Sequence, residues 1–218
     1  MAVMLWLLAP VQAFNNRLVG VAHWVTVTAM ALMVGVILLQ VFFRYVLNNA
    51  QPWPDEAARF FMLWMTGLIA PVAYRRGGFV AIDMAMRAMP ARVAALFGFA
   101  LLSIAMLVLL KGVQLGHAHT MSGCLFRSAS LWLPFTFEFA LPLPGTGVSL
   151  TLCTRADAAF GVTFGWVKMP LAVMHASLFV GLVLLTLVNL ELMLRSLVTM
   201  TGGAPRLRAI PQTVVEAE

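Results

Sequence analysis

Charge is scarce in this sequence. Asp, Glu, Lys and Arg make up 10% of its 218 residues, and 62% are apolar, whereas a soluble domain has about 25% charged and roughly 45–50% apolar residues. A water-soluble globule is thereby excluded. Cysteine is almost absent: two residues, Cys124 and Cys153, cannot build a disulfide scaffold. Catalytic signatures are missing as well, with no G-x-S-x-G, no H-E-x-x-H, no phosphate-cradling G-x-x-x-x-G-K-[ST] and no dinucleotide fingerprint. No catalytic residue, cofactor or metal site is assigned; His117 and His119 lie near Cys124, but their spacing matches no strong zinc pattern. The net charge of +6 does not indicate a nucleic-acid partner, because the basic residues sit sparsely between apolar runs, which is a membrane-orientation pattern. Residues 1–14 are apolar but have no preceding Lys or Arg and no small-residue cleavage site after them, so no cleavable export signal is expected.

What the chain does have is four apolar runs. A bilayer core of about 30 Å needs around 20 helical residues at ~1.5 Å each. Runs of that kind lie at about 18–43, 60–74, 93–115 and 166–194. The second is short, but Asp55, Glu56 and Arg59 extend it into the headgroup zone, with Pro54 suited to its first turn, where an N–H has no partner anyway. Lys111, the only charge of the third run, is near enough to its end to snorkel. Backbone polar groups in lipid must be paired within the segment, so these runs are helices. The expected fold is an all-α integral membrane protein, a single membrane domain over 1–218 with four spans.

Basic residues set the orientation. With both termini cytoplasmic, Arg17, Arg75, Arg76, Arg87, Arg92, Arg195, Arg206 and Arg208 face inward, and outside the long third connection only Arg44 and Arg59 face outward. N-in and C-in is favoured.

The connections differ in kind. After the second span, Gly77 and Gly78 let the chain turn sharply, and Phe79–Met89 is moderately amphipathic, which favours a helix along the inner interface over the alternative of a plain polar turn. Residues 116–165 form a periplasmic insertion too long for a bare loop. Alternation over Leu131–Phe139 and Val148–Leu152, with Pro142, Pro144, Gly145 and Gly147 between them, predicts a small hairpin-like cap. A fifth span through 129–152 is the rival, opposed by its prolines and Glu138. Cys124 and Cys153 flank the cap and are disulfide candidates in an oxidising compartment, a closure worth about 3 kcal/mol in the chain-entropy model. Residues 201–218 read as a mobile cytoplasmic tail.

Acids and bases deep in lipid usually mark an ion or proton route. The deep interior of the spans offers only His23, Gln40, His175, Asn189 and a few hydroxyls, with Lys111 near the end of the third span and Lys168, Glu191 and Arg195 at the ends of the fourth, so the chain fits the partner of a transporter better than the transporter itself. The densest polar cluster lies between the first two spans: Arg44, Asp55, Glu56 and Arg59, with Gln40, Asn48, Asn49, Gln51, Trp53 and Trp64 nearby. Arg44 and Arg59 pairing with Asp55 and Glu56 to anchor the helix ends is a sufficient structural account of it. For Arg75 and Arg76, setting the orientation is sufficient.

The run Arg44-Tyr45-Val46-Leu47-Asn48, then Pro52-Trp53-Pro54-Asp55-Glu56-Ala57-Ala58-Arg59-Phe60, Trp64, Gly67 and Arg75-Arg76-Gly77-Gly78 through Asp83 resembles the DctQ-like small membrane subunit of tripartite ATP-independent periplasmic transporters. The close match covers about 40 residues, and the four-span plan covers nearly the whole chain. Phe79 stands where such subunits often have His, and the long outer connection exceeds the family's usual short one. The resemblance implies a bacterial inner-membrane, multi-pass, non-enzymatic scaffold. Its partners would be membrane lipid, a large permease subunit carrying the substrate and sodium sites, and a periplasmic substrate-binding protein that delivers an organic acid. It also implies that Arg44, Trp53, Asp55, Glu56 and Arg59 form an outer structural or docking cluster, and that Arg75, Arg76, Gly77, Gly78 and Asp83 form an inner anchor.

Two other readings compete. One is a stand-alone membrane scaffold. The other is a four-helix cytochrome b-type subunit, in which histidines on facing helices hold haem at one depth. His23 and His175 miss each other by about 10 Å in depth on helical rise, whereas His175 can meet His117 or His119.

Overall fold

The computed structural model describes residues 2–76, 90–142, 149–152 and 161–200. Four helices long and apolar enough to cross a membrane follow one another: α1 (Ala2–Tyr45), α2 (Trp53–Arg75), α3 (Ala91–Ser122) and α4 (Ala172–Met200). Between α3 and α4, strands β1 (Arg127–Pro142), β2 (Ser149–Leu152) and β3 (Gly161–Pro170) form an antiparallel sheet in the order β2-β1-β3. The four-helix membrane plan is the one the apolar runs predicted.

Several boundaries are corrected. α1 begins at Ala2, well before Leu18. Arg17, the residue before the expected start of the span, lies inside the helix together with Asn15 and Asn16, and Asn15 is fully buried with its amide N–H groups donating to Leu187 O and Glu191. α3 continues past Leu115 to Ser122 because its hydroxyls bond back to its own carbonyls, Thr120 Oγ to Gly116 O (2.8 Å) and Ser122 Oγ to His119 O (2.7 Å), so polarity does not end it. α4 starts at Ala172 rather than near Trp166. Residues 166–170 belong to β3, whose last residue, Pro170, has no N–H. The Leu171 N–H bonds to Phe126 O (3.0 Å) before the helix takes over.

The predicted hairpin is present as β1 and β2, registered from Phe139↔Leu152 to Pro142↔Ser149. β3 is an addition. It pairs with β1 from Arg127↔Pro170 to Glu138↔Gly161, across two register shifts. The stretch 79–89, with Gly77, Gly78 and Asp83, lies outside the described residues, as do Cys153 and the tail from 201.

The chain packs as two compact units. The first draws on residues 1–25, 68–112 and 181–218; the second draws on 26–67 and 113–180 and contains the sheet. Val72, Val188 and Val198 are fully buried in the first, together with Asn15, Asn189 and Glu191. Met169, Ala172, Ala57 and Ala176 form the core of the second. The chain leaves α1 through Asn48, which adopts φ +51°, a left-handed conformation that Asn tolerates; the Asn49 N–H caps Phe43 O at 3.0 Å. Pro54 then opens α2 where no N–H is needed.

Candidate functional site

Two polar clusters stand out, one in each unit. In the first unit the cluster is built around Glu191, which lies on α4 one turn from Arg195 and is fully buried. Arg75, near the end of α2, grips it in a two-pronged bond, Nη2 to Oε1 at 2.8 Å and Nε to Oε2 at 2.9 Å. Arg195 Nε donates to Oε1 at 3.1 Å and Asn15 Nδ2 to Oε2 at 2.8 Å. Arg75 also donates to Asn16 Oδ1 at 2.6 Å. A carboxylate has about four lone-pair sites, and these four bonds occupy them. Glu191 is therefore a fastener joining α1, α2 and α4, with no acceptor position free for a travelling proton or cation. Beside it the Tyr74 hydroxyl donates to Asn189 Oδ1 (2.6 Å), and Asn189 Nδ2 donates to Leu102 O (3.1 Å), which brings α3 into the same network.

This cluster corrects the account of Arg75 as a charge that only sets orientation: Arg75 is 3% exposed and bonded across helices, whereas Arg76 is exposed. Glu191, Asn15, Asn16, Arg195 and Tyr74 were missed as its partners. The signal was available in Glu191, an acid between Leu190 and Leu192 inside an apolar run.

In the second unit the focus is Glu56, in the first turn of α2. Its carboxylate accepts the N–H groups of Ala129 (3.1 Å), Ser130 (3.0 Å) and Leu131 (3.0 Å), and the hydroxyls of Ser128 and Ser130 (2.7 Å). Five donors from the start of β1 converge on one acid, which ties the sheet to α2. Arg44 and Arg59 do not pair with Asp55 or Glu56: among the described residues the ion pairs are Arg75–Glu191 and Arg195–Glu191. Arg44 leans over the Tyr45 ring at 6.0 Å, and Arg44, Asp55 and Arg59 are exposed while Trp53 is half-buried. The anticipated cluster thus separates into one structural residue, Glu56, and an exposed set.

Replacing Glu56 by Ala leaves partly wet donors that water can re-bond. The expected loss is about 1–2 kcal/mol, toward the lower end for hydrogen bonds to a charged group. It is read as a lower thermal midpoint and faster proteolysis between residues 127 and 132; an unchanged midpoint and cleavage rate would contradict the clasp.

The helices α3 and α4 meet closely in this unit. A Cβ on Gly123 would lie 2.7 Å from His175 Nδ1 and 2.8 Å from Ala172 N. The His119 and His175 rings stack face to face, centroids 4.2 Å apart, and His117 lies against Phe179. The sequence allowed these histidines to meet, and two of them do. They present faces to each other, not nitrogens across an iron, so they do not form an axial ligand pair. Among the described residues no three His, Cys, Asp or Glu side chains converge on a metal position. Cys124, in the turn Gly123–Leu125, carries no free thiol.

Four apolar helices pinned by internal polar bonds define a multi-pass membrane protein. Residues 33–199, from the middle of α1 almost to the end of α4, match the family described as tripartite ATP-independent periplasmic transporters, DctQ component. The match covers more than half of the chain, and the protein belongs to that family, the small permease component of these transporters. No curated protein and no solved structure shows a significant match.

Proposed function

We propose that this chain is the fixed, non-catalytic subunit that braces a large membrane permease in a bacterial inner membrane, both termini cytoplasmic, for ion-coupled uptake of an organic acid. The family supports the transporter role. The observation that carries the bracing role is where the charges go. The ion pairs among the described residues are spent on holding the chain's own helices together, and Glu191 has no acceptor site to spare. The most apolar window of α3, by contrast, contains no buried residue and that of α1 only 11%. These bare faces, with Leu96, Ile104, Leu107 and Val108 exposed on α3, fit a neighbouring permease and lipid, and small residues on the helices suit close packing in a bilayer. Arg44, Asp55 and Arg59 are exposed around the start of α2 and make no ion pair among the described residues. With Trp53 they are our candidates for docking a substrate-binding protein, the coupling ion being sodium as the resemblance implies.

Gentle extraction of the tagged chain is expected to bring down a large polytopic membrane protein in stoichiometric amount; recovery of the chain alone refutes the reading. Reconstituted alone in vesicles, it is expected to catalyse no solute uptake. Cys124 is proposed to bond to Cys153, which requires the sheet to face an oxidising compartment. Mass spectrometry of the air-purified, unreduced chain is expected to show the cross-linked peptide pair, and two alkylatable thiols would contradict the bond.

A further inference from the structure

The edge of the sheet next to the helices carries an aromatic and basic face that the transport role does not use. Trp132 on β1 stands opposite Lys168 on β3, and the Lys168 ammonium lies 5.7 Å from the centre of the Trp132 ring. Trp166, two residues from Lys168 along a strand, shares its face. Trp166 is 73% and Trp132 52% exposed, while Met169, of opposite parity, is buried. This face therefore points away from the core. The adjoining turn exposes Leu125 (84%) and Phe126 (64%), followed by exposed Arg127. Residues 123–132 and 166–171 contain two basic side chains and no acid.

We propose that this face rests on the phospholipid surface, with Trp132 and Trp166 in the headgroup layer and Lys168 and Arg127 on lipid phosphates. Continuity with the membrane-crossing helices supports lipid over protein as the occupant. The edge adjoins two helix ends: β1 begins at Arg127 just after the turn that follows α3, β3 ends at Pro170 just before α4, the Phe126 N–H bonds to Gly123 O in that turn, and the Leu171 N–H bonds to Phe126 O one residue before α4 begins. Two residues of strand, about 7 Å, separate Pro170 from the Trp132–Lys168 rung. The headgroup layer on each side of a bilayer is about 5–7 Å thick. With the start of α4 placed at the hydrocarbon boundary, that rung falls in the headgroup layer even for an upright strand, and Trp166 reaches the layer when the strand leans. Amphipathic Trp rings concentrate at that level, and a basic residue there gains from anionic lipid. The one acid at this edge, Glu56, has its carboxylate taken up by donors of residues 128–131, which holds the edge against the start of α2 and leaves Lys168 and Arg127 as the charges the two strand segments offer a phosphate surface.

The full chain is placed in nanodiscs containing phosphatidylglycerol and phosphatidylcholine brominated high on the acyl chain, and its tryptophan emission is quenched either by the bromolipid or by aqueous iodide. Trp132 and Trp166 are two of six tryptophans. In the Trp132→Phe, Trp166→Phe double variant the bromolipid-quenchable emission is expected to fall by roughly a third, with the iodide-quenchable part little changed; the single variants give the same test if the double variant does not fold. A loss taken from the iodide-quenchable part places the face in water and overturns the proposal. It is equally overturned if added substrate-binding protein shields these two tryptophans from iodide, which makes the face a protein-docking site.

Discussion

Replacing Glu191 by Leu is expected to be among the most destabilising single changes available in this chain, costing about 3–5 kcal/mol. The loss is of that size because Arg75, 3% exposed, stays where it is with its partner removed, and an uncompensated buried charge is expensive. Asn15 loses a bond at the same stroke, and Arg195 loses its contact one turn away. The double variant Glu191→Leu, Arg75→Met distinguishes this from simple loss of packing. Most of the penalty is the stranded charge, so removing both partners is expected to recover a large part of the thermal midpoint, since apolar replacement of a whole buried ion pair is often close to neutral. Equal midpoints for the single and double variants would show that Arg75 finds water or another acceptor, and that the cluster is not the fastener between helices.

The same cluster shows what was legible in the sequence. Helix number and approximate placement follow from length and hydropathy alone, because lipid leaves the backbone no alternative to internal pairing. Polar residues at the edges of these runs are harder. Arg17 marks the expected start of the first span, and Glu191 and Arg195 the expected end of the fourth, because one strand of sequence does not show that two such edges on different helices meet. Recognition of an acid flanked by leucines as too costly to leave unpaired was the available clue. The start of α2 failed in the opposite direction. Arg44, Asp55, Glu56 and Arg59 are close in sequence and opposite in sign, so pairing among them was the economical expectation; Glu56 instead takes five donors from residues 128–131, more than seventy positions away. β3 was missed for a related reason. Its last residues lead into the apolar run of α4 across Lys168 alone, and Pro170 marks the change from strand to helix.

Gly67 is the position where the smallest addition should do the most harm. A methyl group placed on it would lie 2.4 Å from the carbonyl oxygen of Ser177 and 3.1 Å from that carbonyl's carbon. The obstacle is backbone in the second turn of α4, which no rotamer change relieves, so α2 and α4 must separate locally. Separation also pulls on the bond from Trp64 Nε1 to Val173 O, 3.2 Å long and one turn away on each helix. Overpacking of this kind costs about 1–3 kcal/mol, and Gly67→Ala is expected to fall at the upper end. The other helical glycines supply the control. Gly112→Ala meets only the movable Leu182 Cδ2 at 3.3 Å, and Gly35→Ala meets nothing within 4 Å. Replacing glycine by alanine in an open helix is favourable by about 0.8–1 kcal/mol in water. The expected order of thermal midpoints is therefore Gly35→Ala at or above the parent, Gly112→Ala slightly below it, and Gly67→Ala far below. If instead Gly67→Ala melts with the parent, the close approach of α2 to Ser177 does not exist in the membrane.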